Sequence, residues 1–267
     1  MFKKITDNIY KLEIPFYTVT TASFIVTSKD GNILVDCGTY ESDVEEIMVP
    51  ALNDLGTNPD YIFLTHFHDD HAGGLETLIK RFPNIKLICF NKSLCEKFGG
   101  ELLRNGDEPI KDICFLSLPG HSFDSGALLH KNSGSIITGD SLQQWGIKQY
   151  GCGVHSPEEY IKSIVRLKSM KIKNIFASHE YYPLGSTAVG EGAVNKYLDE
   201  CENIYNEIIL FTLSKIKNGI FDNDIIADEF HKEKRNEHPN MPTIPASVFG
   251  AIASKSQVLL GKNTNKK

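Results

Sequence analysis

Thr65-His66-Phe67-His68-Asp69-Asp70-His71-Ala72-Gly73-Gly74 is the stretch from which the rest of the chain can be read. It holds four metal-capable side chains, His66, His68, Asp70 and His71, within six positions. The apolar run Tyr61–Leu64 ahead of it reads as a strand, and helical spacing begins behind it at Ala72–Phe82. The four residues therefore sit on a strand-to-helix loop, where side chains can converge. His66 and His68, two positions apart, leave the strand on the same side. Asp70 and His71 stand near the helix start, free to face a second point. The chain has nine histidines in all, so three in one loop beside a carboxylate argue for metal binding over solvated loop side chains.

Three other places repeat one pattern, an apolar strand that ends in a ligand-capable residue. His121 follows Phe115-Leu116-Ser117-Leu118-Pro119-Gly120, Asp140 follows Ile136-Ile137-Thr138-Gly139, and His179 follows Ile175-Phe176-Ala177-Ser178. Taken singly, each could be a capping or loop residue, and for Asp140 alone that reading would win. Three repeats beside the first cluster favour a shared cleft at one edge of a layered sheet.

Outward from these motifs, Asn8–Ile14, Ser23–Ser28 and Asn32–Asp36 read as strands with a turn at Asp30-Gly31, and 41–55 reads as a helix. Lys86–Phe90, Ile113–Leu118, Gly126–His130, Ser135–Thr138 and Asn174–Ala177 read as further strands. Ser156-Pro157-Glu158-Glu159 has the form of a capping box, with Tyr160, Ile161, Ile164, Val165 and Leu167 as the apolar face behind it. From about Gly192 the chain turns helical. One long helix is expected over Val194–Ile216, burying Leu198, Cys201, Tyr205, Ile208, Ile209 and Leu213, with further helices at about 223–235 and 246–259. His238-Pro239-Asn240-Met241-Pro242 is a loop between them. This order fits two sheets packed face to face with helices outside. The expected organisation is a core over 1–190, a helical extension over 191–260 and a polar tail over 261–267.

Composition narrows the class. The 267 residues carry a net charge of −6 and no dense basic run, which argues against a nucleic-acid partner. No apolar run follows Lys3-Lys4, and none is long enough for a membrane span, so the expectation is a cytoplasmic protein without a membrane partner. Six scattered cysteines form no CxxC pair, and Cys37, Cys89 and Cys114 lie in apolar runs, so reduced, packed thiols are expected. His130, His231 and His238 read as surface or packing residues, and Lys148 and Lys196 as solvated surface.

His66-Phe67-His68-Asp69-Asp70-His71 resembles the HxHxDH motif of the metallo-β-lactamase superfamily, and Pro119-Gly120-His121, Gly139-Asp140 and Ser178-His179 follow in that family's order. Thr65–Gly74 is especially similar to the hydroxyacylglutathione hydrolase (glyoxalase II) branch. The resemblance covers roughly residues 8 to 180 and implies a mixed α+β fold, a four-layer αββα sandwich with extra C-terminal helices. It implies two divalent metal ions, with zinc the first fit and iron or manganese also suited to an all-N/O donor set. Residue by residue, it implies that His66, His68 and His121 hold one ion and that Asp70, His71 and His179 hold the other. Asp140 would bridge them, with a water or hydroxide between. Asp36 resembles a recurrent position near that site; a buried carboxylate bonded to turn backbone is the alternative.

The implied chemistry is attack by hydroxide on a carbonyl carbon, with Asp70 orienting the nucleophile and carrying a proton. Two departures matter. Asp140 stands where the main clinical β-lactamases have Cys, and His68 where flavodiiron proteins have Glu. The substrate is less legible. Trp145 and Tyr150 follow Asp140, and Tyr181 and Tyr182 follow His179, so these aromatics are expected to line the cleft, with Trp145, Tyr181 and Tyr182 as substrate contacts. His155 is an extra polar candidate. The expected activity is hydrolysis of a small ester, thioester or lactone. A phosphodiesterase or nuclease of the same superfamily, or a non-catalytic metal sensor, are the alternatives. The helical extension either caps the cleft or covers a sheet face or a homodimer contact.

Overall fold

The computed structural model describes residues 1–147 and 150–264, with Tyr150 and 256–264 described by backbone alone. Lys148 and the side chain of Tyr150 thus lie outside the described residues. The first sheet runs in chain order: β1 (Lys3–Lys4), β2 (Ile9–Phe16), β3 (Val19–Val26), β4 (Ile33–Val35), β5 (Tyr61–Leu64), β6 (Lys86–Cys89) and β7 (Glu101–Leu102). β1 to β4 pair antiparallel, and β4 to β7 parallel. The switch has a simple cause, because each parallel pair is joined through helix. The segment Asp43–Met48, wound with π-type hydrogen bonds, and α1 (Val49–Leu55) join β4 to β5. α2 (Asp69–Ala72) and α3 (Leu75–Arg81) join β5 to β6, and α4 (Lys92–Phe98) joins β6 to β7.

The second sheet has β8 (Asp107–Ile110), β9 (Ile113–Ser117), β10 (Gly126–His130) and β11 (Ser135–Ile137). A short ribbon, β12 (Gly146–Ile147) with β13 (Tyr150–Gly151), leads to α5 (Pro157–Lys168). β14 (Asn174–Phe176) then pairs parallel to β11, and β15 (Thr187–Val189) closes the order β15-β14-β11-β10-β9-β8. α6 (Glu191–Lys217), α7 (Asn223–Lys234) and α8 (Ala246–Thr264) follow.

Three apolar layers hold this together. Phe24, Val26, Val35, Phe63 and Ile88 of the first sheet pack on Phe115, Leu128, Ile137 and Phe176 of the second. The opposite face of the first sheet buries Ile62, Leu64 and Leu87 against Val44, Met48, Leu52 and Leu78. The outer face of the second buries Leu116, Ile136 and Ile175 against Tyr160 and Leu167 of α5, Tyr197 and Tyr205 of α6, Phe230 of α7 and Phe249 of α8. β5 shows the rule in miniature: Phe63 points to the sheet interface, while Ile62 and Leu64 point to the helices, so a strand covered on both faces reads as one apolar run. The expected αββα layering is what forms, with α6, α7 and α8 sharing the second sheet's outer core.

Details differ from the sequence reading. The helix expected over 72–82 breaks at Gly73-Gly74, where a Cβ would lie 2.2 Å from Thr39 O or 2.3 Å from Cys37 O, so backbone approaches backbone. Ser156 precedes α5 but makes no side-chain cap bond; Pro157 alone opens that helix. Val165 and Leu213, assigned to buried faces, are exposed, because each lies at the margin of its helix's apolar stripe. The last helix runs past 259 to Thr264. α4 and the short strands β7, β8, β12, β13 and β15 carry too little apolar pattern to be read from sequence. All six cysteines are buried and free. Among the described residues, no helix is long and apolar enough to cross a membrane.

Candidate metal centre

β4, β5, β11 and β14 belong to parallel pairs, and β9 runs the same way as β11 through two antiparallel steps. Their carboxyl ends therefore open at one edge, the place where sheets with crossover helices leave a crevice. Asp36 follows β4, the His66–His71 loop follows β5, His121 follows β9, Asp140 follows β11, and His179 follows β14. Topology alone thus gathers residues that lie 143 positions apart at the extremes (Asp36 to His179).

Two sets form. In the first, His66 Nε2 lies 3.0 Å from His68 Nδ1 and 3.2 Å from His121 Nε2, and the latter two are 2.9 Å apart. Bonds of about 2.0–2.1 Å to a tetrahedral zinc would set such nitrogens about 3.3 Å apart. The far side of each ring decides its tautomer. His121 Nδ1 donates to Gly153 O at 2.5 Å, since a carbonyl can only accept; the Gln143 amide nitrogen lies 2.8 Å from the same atom, while its oxygen accepts from Gly153 N. Thr65 Oγ1 donates to Asp36 Oδ2, so it accepts from His66 Nδ1 at 3.1 Å. His66 and His121 then turn bare lone pairs toward each other. Two lone pairs at 3.2 Å repel unless a cation lies between them, and the triad fits a metal ion on that ground.

In the second set, Asp70 Oδ2 is 3.1 Å from His179 Nε2 and 3.4 Å from His71 Nε2. Asp140 lies between the sets: its Oδ1 is 3.4 Å from His71 Nε2 and 3.5 Å from His179 Nε2, and its Oδ2 is 3.7 Å from His121 Nε2. His71 Nε2 and Asp140 Oδ1 are buried without a hydrogen-bond partner among the described residues. Buried polar atoms are almost always satisfied, so this pair also fits a cation. The rear nitrogens are again held: His71 Nδ1 donates to Asp36 Oδ2 at 2.7 Å, and His179 Nδ1 to Thr20 O at 2.7 Å. Asp36 also accepts from Thr65 N at 2.8 Å and holds a left-handed backbone, φ 60°. It therefore plays both roles weighed for it, binding turn backbone and orienting a site histidine.

Electrostatics differ between the two sets. Burial is the main reason that His66, His68 and His121 fall below the usual histidine range, His121 to about 4, with Asp140 pulling the other way. These rings are neutral at pH 7, which is the metal-binding form. Burial also acts to lower His71 and His179, but Asp70 and Asp140, joined at His71 by Asp36, outweigh it and raise both. Burial would raise Asp70 and Asp140, yet the facing histidines hold both below the usual carboxylate range.

All seven expected ligands therefore converge, in groups His66/His68/His121, His66/His71/Asp140 and Asp70/His71/His179. A cleft of about 160 Å³ opens on them, lined by Phe16, Asp70, His121, Asp140, Gln143, Ile147, Gly151, Gly153, His179 and Tyr181. Of the four aromatics expected there, Tyr181 lines it, and the side chain of Tyr150 lies outside the described residues. Trp145 is buried, 5.5 Å from the His238 ring and 6.1 Å from Phe230, because the β12 turn points it into the helical core. Tyr182 packs on that core too. His155 is exposed and lines no part of the cleft. Sequence reasoning passed over Gln143 and the Gly153 carbonyl, whose value is set by contacts 22 and 32 residues distant. It also passed over Phe123, though a large apolar residue in a Ser/Gly loop beside His121 was a usable signal.

Comparison with known proteins agrees with this geometry. Residues 17–90 match the family model described as the Metallo-beta-lactamase superfamily. Hydroxyacylglutathione hydrolase 1 of Vibrio vulnificus is 30% identical over 162 residues, covering 59% of this chain and 61% of the relative. An atrochrysone carboxyl ACP thioesterase of Pseudocercospora fijiensis is 25% identical over 162 residues, covering 60% of this chain and 47% of the relative. The matched segment thus spans only about half the length of these curated relatives. Among solved structures, DIM-1 metallo-beta-lactamase superposes with a TM-score of 0.62 at 16% identity, covering 78% of this chain and 97% of that one. A flavo di-iron protein from Thermotoga maritima reaches 0.61 at 16% identity, covering 79% and 62%. These likenesses establish the fold.

Proposed function

From a chain with the metallo-β-lactamase fold and a domain match to that superfamily, we propose a metal-dependent hydrolase with two ions that cleaves a small ester, thioester or lactone. The observation that carries this reading is the facing pair of bare ring nitrogens, His66 Nε2 and His121 Nε2, together with the orphaned His71 Nε2 and Asp140 Oδ1. His66, His68 and His121 would hold one ion, Asp70, His71 and His179 the other, with Asp140 between; zinc suits the donors best, and iron or manganese also fit. Bound there, two divalent ions supply a hydroxide nucleophile at neutral pH and draw charge from a carbonyl oxygen.

The chain's own groups do the rest. Asp70 would orient the nucleophile beside the second set and carry a proton to the leaving group. Tyr181 lines the cleft beside Asp140, and its hydroxyl would donate to the carbonyl oxygen of a bound substrate. Asp36 fixes the His71 ring and Thr20 O the His179 ring. The net charge of −6 supports a small-molecule substrate over a nucleic acid. Residues 1–190 serve as the catalytic core, and α6, α7 and α8 back the sheet that carries His121, Asp140 and His179. The test is hydrolysis of a thioester, lactone, ester and phosphodiester panel by wild type and His68→Ala at matched metal content. Carboxyl-ester-type turnover that falls at least about 100-fold in the variant is expected; full activity in His68→Ala contradicts the reading.

A further inference from the structure

Two large apolar rings stand in water beside the centre. Phe67, between His66 and His68, is 40% exposed, and Phe123, two residues after His121, is 73% exposed. Their rings stack, with centroids 5.5 Å apart and planes 28° from parallel, and the Phe67 ring lies 4.7 Å from the His68 ring. The stack is thus continuous with the first histidine set.

The loop that presents Phe123 is firmly held. Ser122, Asp124 and Ser125 around it are each 2% exposed. Ser122 N donates to Ser125 Oγ at 3.0 Å, and Ser122 Oγ to Asp124 Oδ1 at 2.7 Å. Asn91 Nδ2 donates to Asp124 Oδ2 at 2.8 Å from the start of α4. A bonded loop that buries its polar residues and holds its one large apolar side chain outward is the reverse of ordinary partition. The rings gain little from each other compared with what an apolar ligand laid across them would remove from water.

We infer that Phe67 and Phe123 form a platform for the apolar acyl part of the substrate, whose carboxyl end lies at the centre. This rests on the hydrolase reading for that placement, and it names the substrate class: esters or thioesters of medium-chain or aryl carboxylic acids, in preference to short or charged ones. Continuity with the histidine set argues for a substrate part as occupant, because anything seated on the rings reaches the His68 edge.

Calorimetry on zinc-loaded protein, with acetate and octanoate as probes and zinc content measured on each sample, tests it without turnover. Octanoate is expected to bind wild type at least tenfold more tightly than acetate. In Phe123→Ser, which changes an exposed side chain, that advantage is expected to shrink to threefold or less at unchanged zinc content. Equal binding of the two, no binding of either, or an advantage that survives in Phe123→Ser overturns the platform. An advantage lost in Phe123→Ser, beside a hydrolysis panel with no turnover, keeps the platform and removes the hydrolase reading. Turnover without the advantage does the reverse.

Discussion

At His71, the nitrogen facing away from the cleft donates to Asp36, and Asp36 in turn is fixed by Thr65 N and Thr65 Oγ1. A partner of this kind orients a ligating ring and raises its basicity, and losing it typically costs 10- to 100-fold in metal affinity. Asp36→Asn keeps the size and removes the charge. Its zinc affinity, measured by competition with a chromophoric chelator, is expected to fall by about 10- to 100-fold; an unchanged affinity would show that Asp36 only braces its turn. At this scale the sequence was most informative where residue type carries chemistry. The seven His and Asp residues were legible because those side chains, each at a strand end, have few other reasons to recur. Trp145 and Tyr182 were misplaced because position after a ligand does not say which way a side chain turns. Asp36 stayed open between two roles because one carboxylate can serve both, and only distances show that it does.

Single buried side chains tie elements to one another, and His231 on α7 is an example. It is buried, and its Nε2 accepts from Ile244 N at 2.8 Å, tying α7 to the segment that leads into α8. Burial first, then Arg235, lowers its pKa, with Asp228 opposing. A histidine depressed in the folded state takes up its proton more readily when unfolded. Its contribution to stability is complete above the unfolded value near 6.5 and is lost as pH falls from there through the folded value. Denaturant unfolding at pH 7.5 and pH 5 is expected to show a smaller drop in His231→Gln than in wild type. Equal drops would mean that the ring titrates alike in both states. The strong helices and β5 were readable in sequence from their apolar period. The capping box was not, since Ser156 stands in the right place without making the bond. The break at Gly73-Gly74 comes from backbone contact with residues 37 and 39, which no local pattern reports.

Across the whole molecule, the arrangement of strands does what no single motif could. β4, β5, β9, β11 and β14 all end at one edge, so five separate loops deliver the seven candidate ligands and Asp36 to one place. The layer order could be anticipated from alternating strand and helix signals, but the crossing from antiparallel to parallel pairing within each sheet could not, because it depends on which strands become neighbours. The central claim is that this edge is a two-ion centre. The most direct test is elemental analysis of protein purified without added metal, repeated after loading with zinc and removal of the excess. Close to two ions per chain, falling to about one in His121→Ala, is the predicted result. Close to none after loading would contradict the account.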